Sequence, residues 1–358
     1  MATKRPQNAT ASLPTKVTPS ATMTKQLLSD IRNFIESARE QTAQVVNAGL
    51  VLLYWSIGNR IRRDILKQKR AEYGEEIVPT LSVQLETEYG RGFSRANLFN
   101  MIRFAEVFSD SKIVQTLSRQ LGWSHFLEII YRKDDLQRDF YAEMCRIERW
   151  SVRTLRSKIG GMLYERTALS KKPALLVKQE LAALRTENRL TPDLVFRDPY
   201  VLDFLGLKDT YSEKDLEAAI LRELEKFLIE LGTDFTFVAR QKRLTIGRTD
   251  YYLDLLFYHR RLRCLVAVEL KLDKFRPADK GQMELYLRWL EKYDTRPGEN
   301  PPLGIILCSS KDQAEIELLR LDNSGIRVSE YMTELPPRQL LERKLHEAIV
   351  LARERLTT

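Results

Sequence analysis

The sequence predicts an all-α N-terminal domain followed by a C-terminal domain of the α/β class, in which helices flank a mixed sheet. From residue 25 to about residue 171, apolar residues recur at the three- and four-residue spacing of amphipathic helices. After residue 191, short runs rich in Val, Leu, Tyr and Phe alternate with helical segments, as in α/β domains. A chain of 358 residues is long enough for two such domains.

The domain boundaries follow the composition of the chain. Residues 1–22 are dominated by Ala, Thr, Ser, Pro and Lys, and we expect a disordered tail there. The helical domain is predicted at 23–170, and a helical connector rich in Lys, Glu, Ala and Leu at 171–190. The α/β domain follows at 191–345, and residues 346–358 are expected to end a C-terminal helix.

The α/β domain is predicted to begin with a helix and to continue with strands. Ser212 and Asp215 have the spacing of a capping box, and Gly232 is expected to end the helix that follows. Strands are predicted at 235–244, 251–258, 263–272 and 303–308, with a helix near 280–292.

The most informative stretch is YYLDLLFYHRRLRCLVAVELKL (251–272), which predicts a β-hairpin whose apolar runs are interrupted by charges. If the turn is centred just after Arg261, Asp254 lies beside Glu269, and Lys271 shares the face of Glu269. Opposed like charges destabilise a sheet, and a divalent cation between them removes that penalty. The same register pairs Tyr258 with Leu265 and Leu256 with Ala267.

Asp254, the hairpin and the triplet Glu269-Leu270-Lys271 resemble the core motif of the PD-(D/E)XK nuclease superfamily, with Leu253 in place of the motif's proline. The longer sequence resembles the C-terminal domain of the YhcG-type nucleases in RQKRL (240–244), YYLDLLFYHRRLRCLVAVELKLDKF (251–275), GQMELYL (281–287) and ENPPLGIILC (299–308). The accessory domain of that family is similar to GFSRANLFNMIRFAEVF (92–108), LGWSHF (121–126), WSVRTLRSKI (150–159) and LYERTALSKKP (163–173). The resemblance covers nearly everything after about residue 25.

This resemblance implies a restriction-endonuclease-like sheet and metal-dependent nuclease chemistry. Asp254 and Glu269 are the expected metal ligands, with the backbone carbonyl of Leu270 as a further ligand. Lys271 is expected to orient or deprotonate the attacking water and to stabilise charge on the scissile phosphate. The expected ion is Mg²⁺, with Mn²⁺ as an alternative. A solvent-exposed strand carrying an ordinary Glu and Lys is the competing interpretation of the triplet.

Further residues are expected at the site by resemblance. Glu217 is the preferred helix acid that completes the metal site, Glu223 is the alternative, and either is also consistent with a solvated helix residue. Gln241 and Gln282 match family motifs and are expected to line the site, although a hydrogen-bonding role in the fold explains them equally well. Tyr286, one helical turn beyond Gln282, is expected to face the same cleft.

Nucleic-acid contacts are predicted in both domains. Residues 92–108 suit a Gly-containing turn followed by a helix whose Arg95, Asn97 and Arg103 enter a groove, as in a helix-turn-helix. The alternative is an amphipathic bundle helix with a solvated polar face. Three more contacts with nucleic acid are predicted in the α/β domain at Arg240, Lys242 and His259.

Charge and cysteine usage agree with this interpretation. The chain has 58 Lys and Arg against 49 Asp and Glu, and the net charge of +9 favours a polyanionic partner. Cys145, Cys264 and Cys308 lie far apart and are expected to be buried free thiols in a reducing compartment, hence in the cytoplasm. Because no apolar run is long enough to span a bilayer, no membrane partner is expected.

The sequence therefore predicts a Mg²⁺-dependent nuclease, with DNA as the expected substrate and endonucleolytic cleavage as the expected reaction. The helical domain is expected to position the substrate or a partner chain, and a homodimer would suit cleavage of both strands. Two alternatives stay open: a non-catalytic scaffold that binds DNA or protein, and a nuclease that acts on RNA.

Overall fold

The computed structural model describes residues 21–68, 71–207, 211–319, 321, 324–334 and 336–355. Most of the predicted tail, residues 1–20, lies outside these ranges. Ala21 and Thr22 belong to the first helix, so the helical part starts two residues earlier than predicted. At the other end, the last helix contains residues 346–355, while residues 356–358 lie outside the described ranges.

The N-terminal half consists of helices, which confirms its predicted class. A helix at Ala174–Glu187 occupies most of the predicted connector. The helices of this half are α1 (Ala21–Gln68), α2 (Ala71–Tyr89), α3 (Arg95–Val107), α4 (Ser111–Ser118), α5 (Trp123–Ile129), α6 (Asp135–Glu148), α7 (Val152–Gly160), α8 (Leu163–Arg166) and α9 (Ala174–Glu187).

Helix α1 packs closely against α3, and a glycine makes the approach possible. A Cβ atom at Gly58 would lie 1.9 Å from the backbone oxygen of Met101, which no side chain tolerates. The indole of Trp55 donates a hydrogen bond of 2.7 Å to the backbone oxygen of Phe108, just after α3. The C-terminal part of α1 is therefore anchored in the helical bundle.

The C-terminal half contains a mixed six-stranded sheet flanked by helices, as predicted. Its strand order is β1-β6-β5-β4-β3-β2, in which β3 is antiparallel to its neighbours β2 and β4 and the other neighbouring strands are parallel. The elements are α10 (Pro192–Val195), β1 (Tyr200–Val201), α11 (Glu213–Arg222), α12 (Leu224–Leu231), β2 (Phe235–Ile246), β3 (Thr249–His259), β4 (Cys264–Leu270), α13 (Pro277–Tyr293), β5 (Leu303–Cys308), α14 (Gln313–Leu318), β6 (Ile326–Met332) and α15 (Arg338–Arg355).

Strands β1 and β6 are absent from the predicted set. β1 has only two residues, too few for a sequence pattern. β6 has polar residues within a buried strand, and Ser329 is tolerated there because its hydroxyl donates a hydrogen bond of 2.7 Å to the backbone oxygen of Arg197. The structural partner that makes this serine acceptable is 132 residues away in the chain.

The β3–β4 hairpin has the predicted register. Tyr258 pairs with Leu265 and Leu256 pairs with Ala267. The paired region ends at Leu255 and Val268, one position before Asp254 and Glu269. All seven residues of β4 are buried, so the strand that carries Glu269 lies inside the sheet.

The helix before β2 starts as predicted but is interrupted. The Ser212 hydroxyl accepts from the Asp215 backbone N–H at 3.2 Å, and the Asp215 carboxylate accepts from the Ser212 N–H at 2.8 Å, which completes a capping box. The predicted single helix breaks at Glu223 into α11 and α12. Gly232 ends α12 with a φ of 129°, a conformation that favours glycine.

The two halves share a hydrophobic core cluster. One cluster of buried side chains contains members of the helical half and members of the sheet, among them Val51, Phe140, Phe227, Phe257 and Tyr331. Beside it, the Glu230 carboxylate binds Arg166 at 2.5 Å and Arg197 at 2.9 Å. Apolar contact and buried charge therefore both join the halves.

The C-terminal helix α15 returns to the helical half. The Arg353 guanidinium donates hydrogen bonds of 3.1 Å to the backbone oxygen of Ser170 and to the hydroxyl of Tyr164. The chain end thereby crosses from the sheet domain back to the segment that precedes the connector.

Asp198 lies at the junction of the two halves. Its carboxylate accepts from Lys171, from Lys311 at 2.5 Å and from the backbone N–H of Glu330 at 3.0 Å. Burial raises the pKa of Asp198, but the two ammonium groups outweigh burial and hold the pKa well below its ordinary value.

Two expectations concern the chain as a whole. Cys145, Cys264 and Cys308 are buried free thiols, as predicted. Among the described helices, none combines the length and the apolar character that crossing a membrane requires.

Replacing Asp198 by Asn is expected to lower the free energy of unfolding at neutral pH by on the order of 3 kcal/mol, because two half-buried ammonium groups lose their shared carboxylate. Since the folded pKa lies below the unfolded one, the stabilisation is full above about pH 4 and decreases at lower pH. Urea titrations at about pH 7 and pH 3 should show a smaller difference between wild type and variant at the lower pH.

The control is Asp203→Asn, an exposed Asp in the same segment, with an expected change within about 0.5 kcal/mol. Equal stability of the wild type and Asp198→Asn at neutral pH would contradict this account of the junction.

Candidate active site

Asp254 lies where β3 and β4 stop pairing. Its Oδ2 atom accepts a hydrogen bond of 2.8 Å from the backbone N–H of Leu270, so the carboxylate takes the place of a strand partner. Its Oδ1 atom accepts from the amide nitrogen of Gln241 at 3.0 Å. Burial raises the pKa of Asp254, which two hydrogen bonds oppose. The carboxylate is thus fixed in orientation at both oxygen atoms.

Glu269 is 5% exposed and holds two polar neighbours through one oxygen atom only. Its Oε1 atom accepts from Lys271 Nζ at 3.2 Å and from the Gln282 amide at 3.0 Å. Its Oε2 atom is buried without a hydrogen-bond partner. Burial first and the Asp254 charge second raise the pKa of Glu269 to about 7. Because Glu269 is buried, the competing interpretation of a solvent-exposed strand face is wrong.

Gln241 joins the helix acid to the hairpin. Its amide nitrogen donates to Glu217 at 2.8 Å and to Asp254 at 3.0 Å. The residue has a φ of 43°, a left-handed conformation that costs a non-glycine residue on the order of 1 kcal/mol. The tight turn at Gly247 sets the β2–β3 register, so that turn is the sequence signal that could have placed Gln241 opposite Asp254.

Of the two candidate helix acids, only Glu217 contacts this group. Glu223 lies at the break between α11 and α12 and forms an ion pair of 2.7 Å with Lys226. On the other side of the site, the Gln282 amide also donates to the Tyr286 hydroxyl at 2.6 Å. Tyr286 is buried, with its ring 6.2 Å from that of Tyr251. The predicted residues of α11, β2 and α13 thus meet at the hairpin.

The residues present fit a divalent cation held by two carboxylates. In the described part of the chain, no group of three or more His, Cys, Asp or Glu side chains converges as a ready metal site, because Gln241 stands between Asp254 and Glu217. The unpartnered Glu269 oxygen beside a second carboxylate is the feature that a hard cation would satisfy. Burial lowers the pKa of Lys271, but the Glu269 carboxylate outweighs it, and the pKa is raised.

The other predicted nucleic-acid residues lie apart from this centre. On α3, Arg95 lies over the Phe99 ring, and Arg103 forms an ion pair of 2.8 Å with Glu106. Asn97 donates to the backbone oxygen of Gly92 at 3.2 Å, so its amide stabilises the preceding turn. Their contacts with nucleic acid stay predictions.

In the sheet domain, two residues that are predicted to contact nucleic acid lie on either side of Gln241 in the sequence. Lys242 is half-buried and forms an ion pair of 2.9 Å with Asp294, whereas Arg240 is exposed.

The predicted nucleic-acid contact at His259 is wrong. The imidazole is 1% exposed and packs edge-on against the Phe235 ring at 4.7 Å. Its Nδ1 atom accepts from the backbone N–H of Leu262 at 3.1 Å, which stabilises the hairpin turn. Burial lowers the pKa of His259 to about 4, so the ring is neutral at physiological pH. A side chain that is buried to this extent is out of reach of a phosphate at the protein surface.

The mixed sheet with Asp254 and the Glu269-Leu270-Lys271 triplet at its diverging strands defines the class, a PD-(D/E)XK nuclease domain. Residues 193–346 match the family model of the YhcG PDDEXK nuclease domain, and residues 30–166 match the DUF1016 N-terminal domain. The chain is 37% identical over 353 residues to "Putative nuclease YhcG" of Escherichia coli (strain K12), covering 90% of this chain and 93% of that protein. It belongs to the YhcG family of nucleases, which confirms the resemblance seen in its motifs.

Two solved structures resemble part of the chain. A repair endonuclease from Pyrococcus abyssi is 23% identical over 36% of this chain and 50% of its own, with a TM-score of 0.25. EndoMS in its complex with dsDNA is 17% identical over 36% of this chain and 49% of its own, with a TM-score of 0.27. The chain spans about half the length of these solved proteins, and its family membership rests on the sequence matches.

In the metal-free protein, Glu269→Gln is expected to raise the free energy of unfolding at about pH 8 by on the order of 1 kcal/mol, because it removes a buried charge beside Asp254. Millimolar Mg²⁺ or Mn²⁺ should raise the melting temperature of the wild type and leave that of the variant nearly unchanged. Thermal melts with EDTA and with each ion measure both effects.

The matched control for these melts is Glu223→Gln, an acid of the same helix pair that lies outside the site and should respond to metal as the wild type does. The same metal response in Glu269→Gln and in the wild type would mean that Glu269 is not a ligand.

Proposed function

We propose that this chain is a Mg²⁺-dependent DNA endonuclease, with Mn²⁺ as a substitute ion. The observation that carries the proposal is the buried, unpartnered Oε2 atom of Glu269 beside the Asp254 carboxylate. Two adjacent acids, one buried and one half-buried, destabilise a fold unless they share a ligand, and a hard divalent cation is the ligand that suits them. The alternative, a scaffold that binds DNA or protein without cutting, does not explain why the two carboxylates lie side by side.

The residues around the pair have separable roles in this proposal. Asp254 and Glu269 hold the cation, and the backbone carbonyl of Leu270 is a further ligand. Gln241 fixes the Asp254 oxygen that it binds at 3.0 Å, and Gln282 does the same for Glu269 at 3.0 Å. Both glutamines therefore position the ligands.

Lys271 is the group proposed to act on the substrate. Its ammonium lies 3.2 Å from the Glu269 Oε1 atom, so it reaches a phosphate or a water that adjoins the carboxylates. There it orients the attacking water and stabilises negative charge on the phosphate. A bound divalent cation supplies Lewis-acid polarisation of the scissile phosphate. Glu217 is proposed to bind a water molecule of the metal. The hydrogen bond that it accepts from the Gln241 amide holds its carboxylate in position for this role.

The substrate assignment is supported by charge and by the resemblance to PD-(D/E)XK nucleases, which implies DNA. The net charge of +9 attracts a polyanion. Exposed Arg240, next to Gln241, is proposed to contact the backbone phosphates near the scissile bond, and Lys242 a neighbouring one. Arg95, Asn97 and Arg103 of the helical domain, proposed at 23–170, are taken to contact the substrate farther away.

Cleavage assays test the proposal with supercoiled plasmid, linear duplex, branched DNA and single-stranded RNA, each with Mg²⁺ or with EDTA. Wild type and the control Glu223→Gln are expected to cut DNA at equal rates, and Glu269→Gln at least about a hundred-fold more slowly, because the second metal ligand is weakened. Cutting that survives EDTA or the Glu269→Gln change would refute the catalytic assignment. If the protein cut only RNA, the proposed substrate would be wrong, but the proposed metal site would stand.

Arg240→Ala should weaken DNA binding and lower the slope of log K against log salt by about one, as expected for the loss of one phosphate contact. Fluorescence anisotropy in the Glu269→Gln background measures binding without cleavage. Arg260→Ala, an exposed change in the β3–β4 turn, is the control and should leave the slope unchanged. Equal slopes for all three proteins would place the phosphate path elsewhere.

A further inference from the structure

The first part of α1 projects from the body of the protein. From residue 28 to residue 50, only Asp30 and Ala48 are partly buried, and Val51 is the first buried residue after this segment. At about 1.5 Å per residue, this segment is roughly 35 Å long. Apart from these two residues, the segment is exposed to solvent along its whole length.

One side of this projecting segment is apolar. Successive residues of a helix are about 100° apart, and on that basis six large apolar residues of the segment, together with Leu53 just beyond it, fall within an arc of about 120°. They are Leu28, Ile31, Phe34, Ile35, Val45, Val46 and Leu53, which are exposed by 46%, 43%, 72%, 46%, 72%, 55% and 46%. We call this surface the α1 face.

The charged residues of the segment lie outside that arc on the remaining sides of the helix. They are two basic and three acidic residues: Arg32 and Arg39, and Asp30, Glu36 and Glu40. A polyanion finds no basic surface on the α1 face, so nucleic acid is not its ligand. A helix with one apolar side and no core beneath it needs an apolar partner surface to be stable in water.

We propose that the α1 face pairs with the α1 face of a second copy of this chain, as two antiparallel helices related by a two-fold axis. The seven side chains expose on the order of 700 Å² together, close to the roughly 800 Å² per partner of a specific protein interface. Solvent-exposed apolar area of that size on one helix is unusual for a monomer.

The sequence of the segment is complementary to itself in this arrangement. A two-fold axis near residue 40 places Phe34 opposite Val46 and Ile35 opposite Val45, which are large side chains against smaller ones. In a two-fold interface each such contact occurs twice. Nearer the axis, Ala38 lies opposite Thr42, and farther from it Ile31 lies opposite Gly49.

Charge and the position of the body also favour the antiparallel pair. None of the pairs above brings two charges together, and the near balance of acids and bases on the outer sides avoids repulsion although the whole chain is at +9. Because the body of each copy begins at Val51, antiparallel helices keep the two bodies at opposite ends of the pair. Parallel helices would place both bodies side by side.

The molar mass in solution tests the proposal on the full chain. At about 10 μM, the wild type should have twice the 41.8 kDa of one chain, while Phe34→Glu/Val45→Glu should have the mass of one chain. The matched control is Asn33→Glu/Gln44→Glu, which adds the same charge to the outer side of the same helix and should stay dimeric. Sedimentation equilibrium gives the masses.

The unfolding midpoint of each variant shows that its body is folded. A monomeric wild type at about 100 μM, or a Phe34→Glu/Val45→Glu variant that is as dimeric as the control, would overturn the proposal. Dissociation of both variants to the same extent would also overturn it, because added charge rather than the α1 face would then be the cause.

Disulfide trapping tests the orientation. The three native cysteines are buried, so introduced thiols react without competition from them. When Ile31→Cys and Gly49→Cys chains of different tagged length are mixed and oxidised, the antiparallel pair gives the product that joins the two different chains. Nothing lies within 4 Å of a Cβ placed at Gly49, so the substitution is tolerated. Products that join only identical chains would overturn the antiparallel arrangement.

Discussion

The pairing of β3 with β4 is the constraint on which the active site depends. Its register brings Asp254 and Glu269 to neighbouring positions at the end of the paired strands, in an environment that raises the pKa of both carboxyl groups. Their repulsion is offset by the apolar packing of β4, every residue of which is buried. The protein gives up local stability at this point, as enzymes do where charged groups must be held ready for a ligand.

The residues around the two carboxylates stabilise them through hydrogen bonds and through the backbone conformation of Gln241. Lys271 and Gln282 donate to one oxygen atom of Glu269, and Gln241 donates to one oxygen atom of Asp254, while an oxygen of Glu269 is left without a partner. The left-handed backbone at Gln241 is part of the same arrangement, because it brings one amide within reach of both Asp254 and Glu217. Three side chains therefore hold the two carboxylates in place, and the unpartnered oxygen atom of Glu269 is left to bind a ligand.

Much of this geometry could be predicted because it is local. The spacing of Asp254 and Glu269 across one turn fixes their register, and a capping box at Ser212 places Glu217 on the first helical turns before the hairpin. The predictions failed where the decisive contact is distant in sequence. His259 lies in a basic turn, but the Phe235 ring that buries it comes from another strand.

The same limit explains the missed parts of the fold. Strand β6 has a buried serine whose hydrogen-bond partner is Arg197, and the break of the predicted helix at Glu223 follows no glycine or proline in the sequence.

The junction between the halves has a consequence for how this protein can evolve. Domains that a flexible linker separates have hydrophobic cores of their own and can in principle fold alone. Here the helical half and the sheet contribute to one core, Glu230 is bound by Arg166 and Arg197, and α15 ends against Tyr164. A gene fusion that carried only one half would expose apolar surface and leave charged groups without their partners. We therefore expect the two halves to be retained together in evolution.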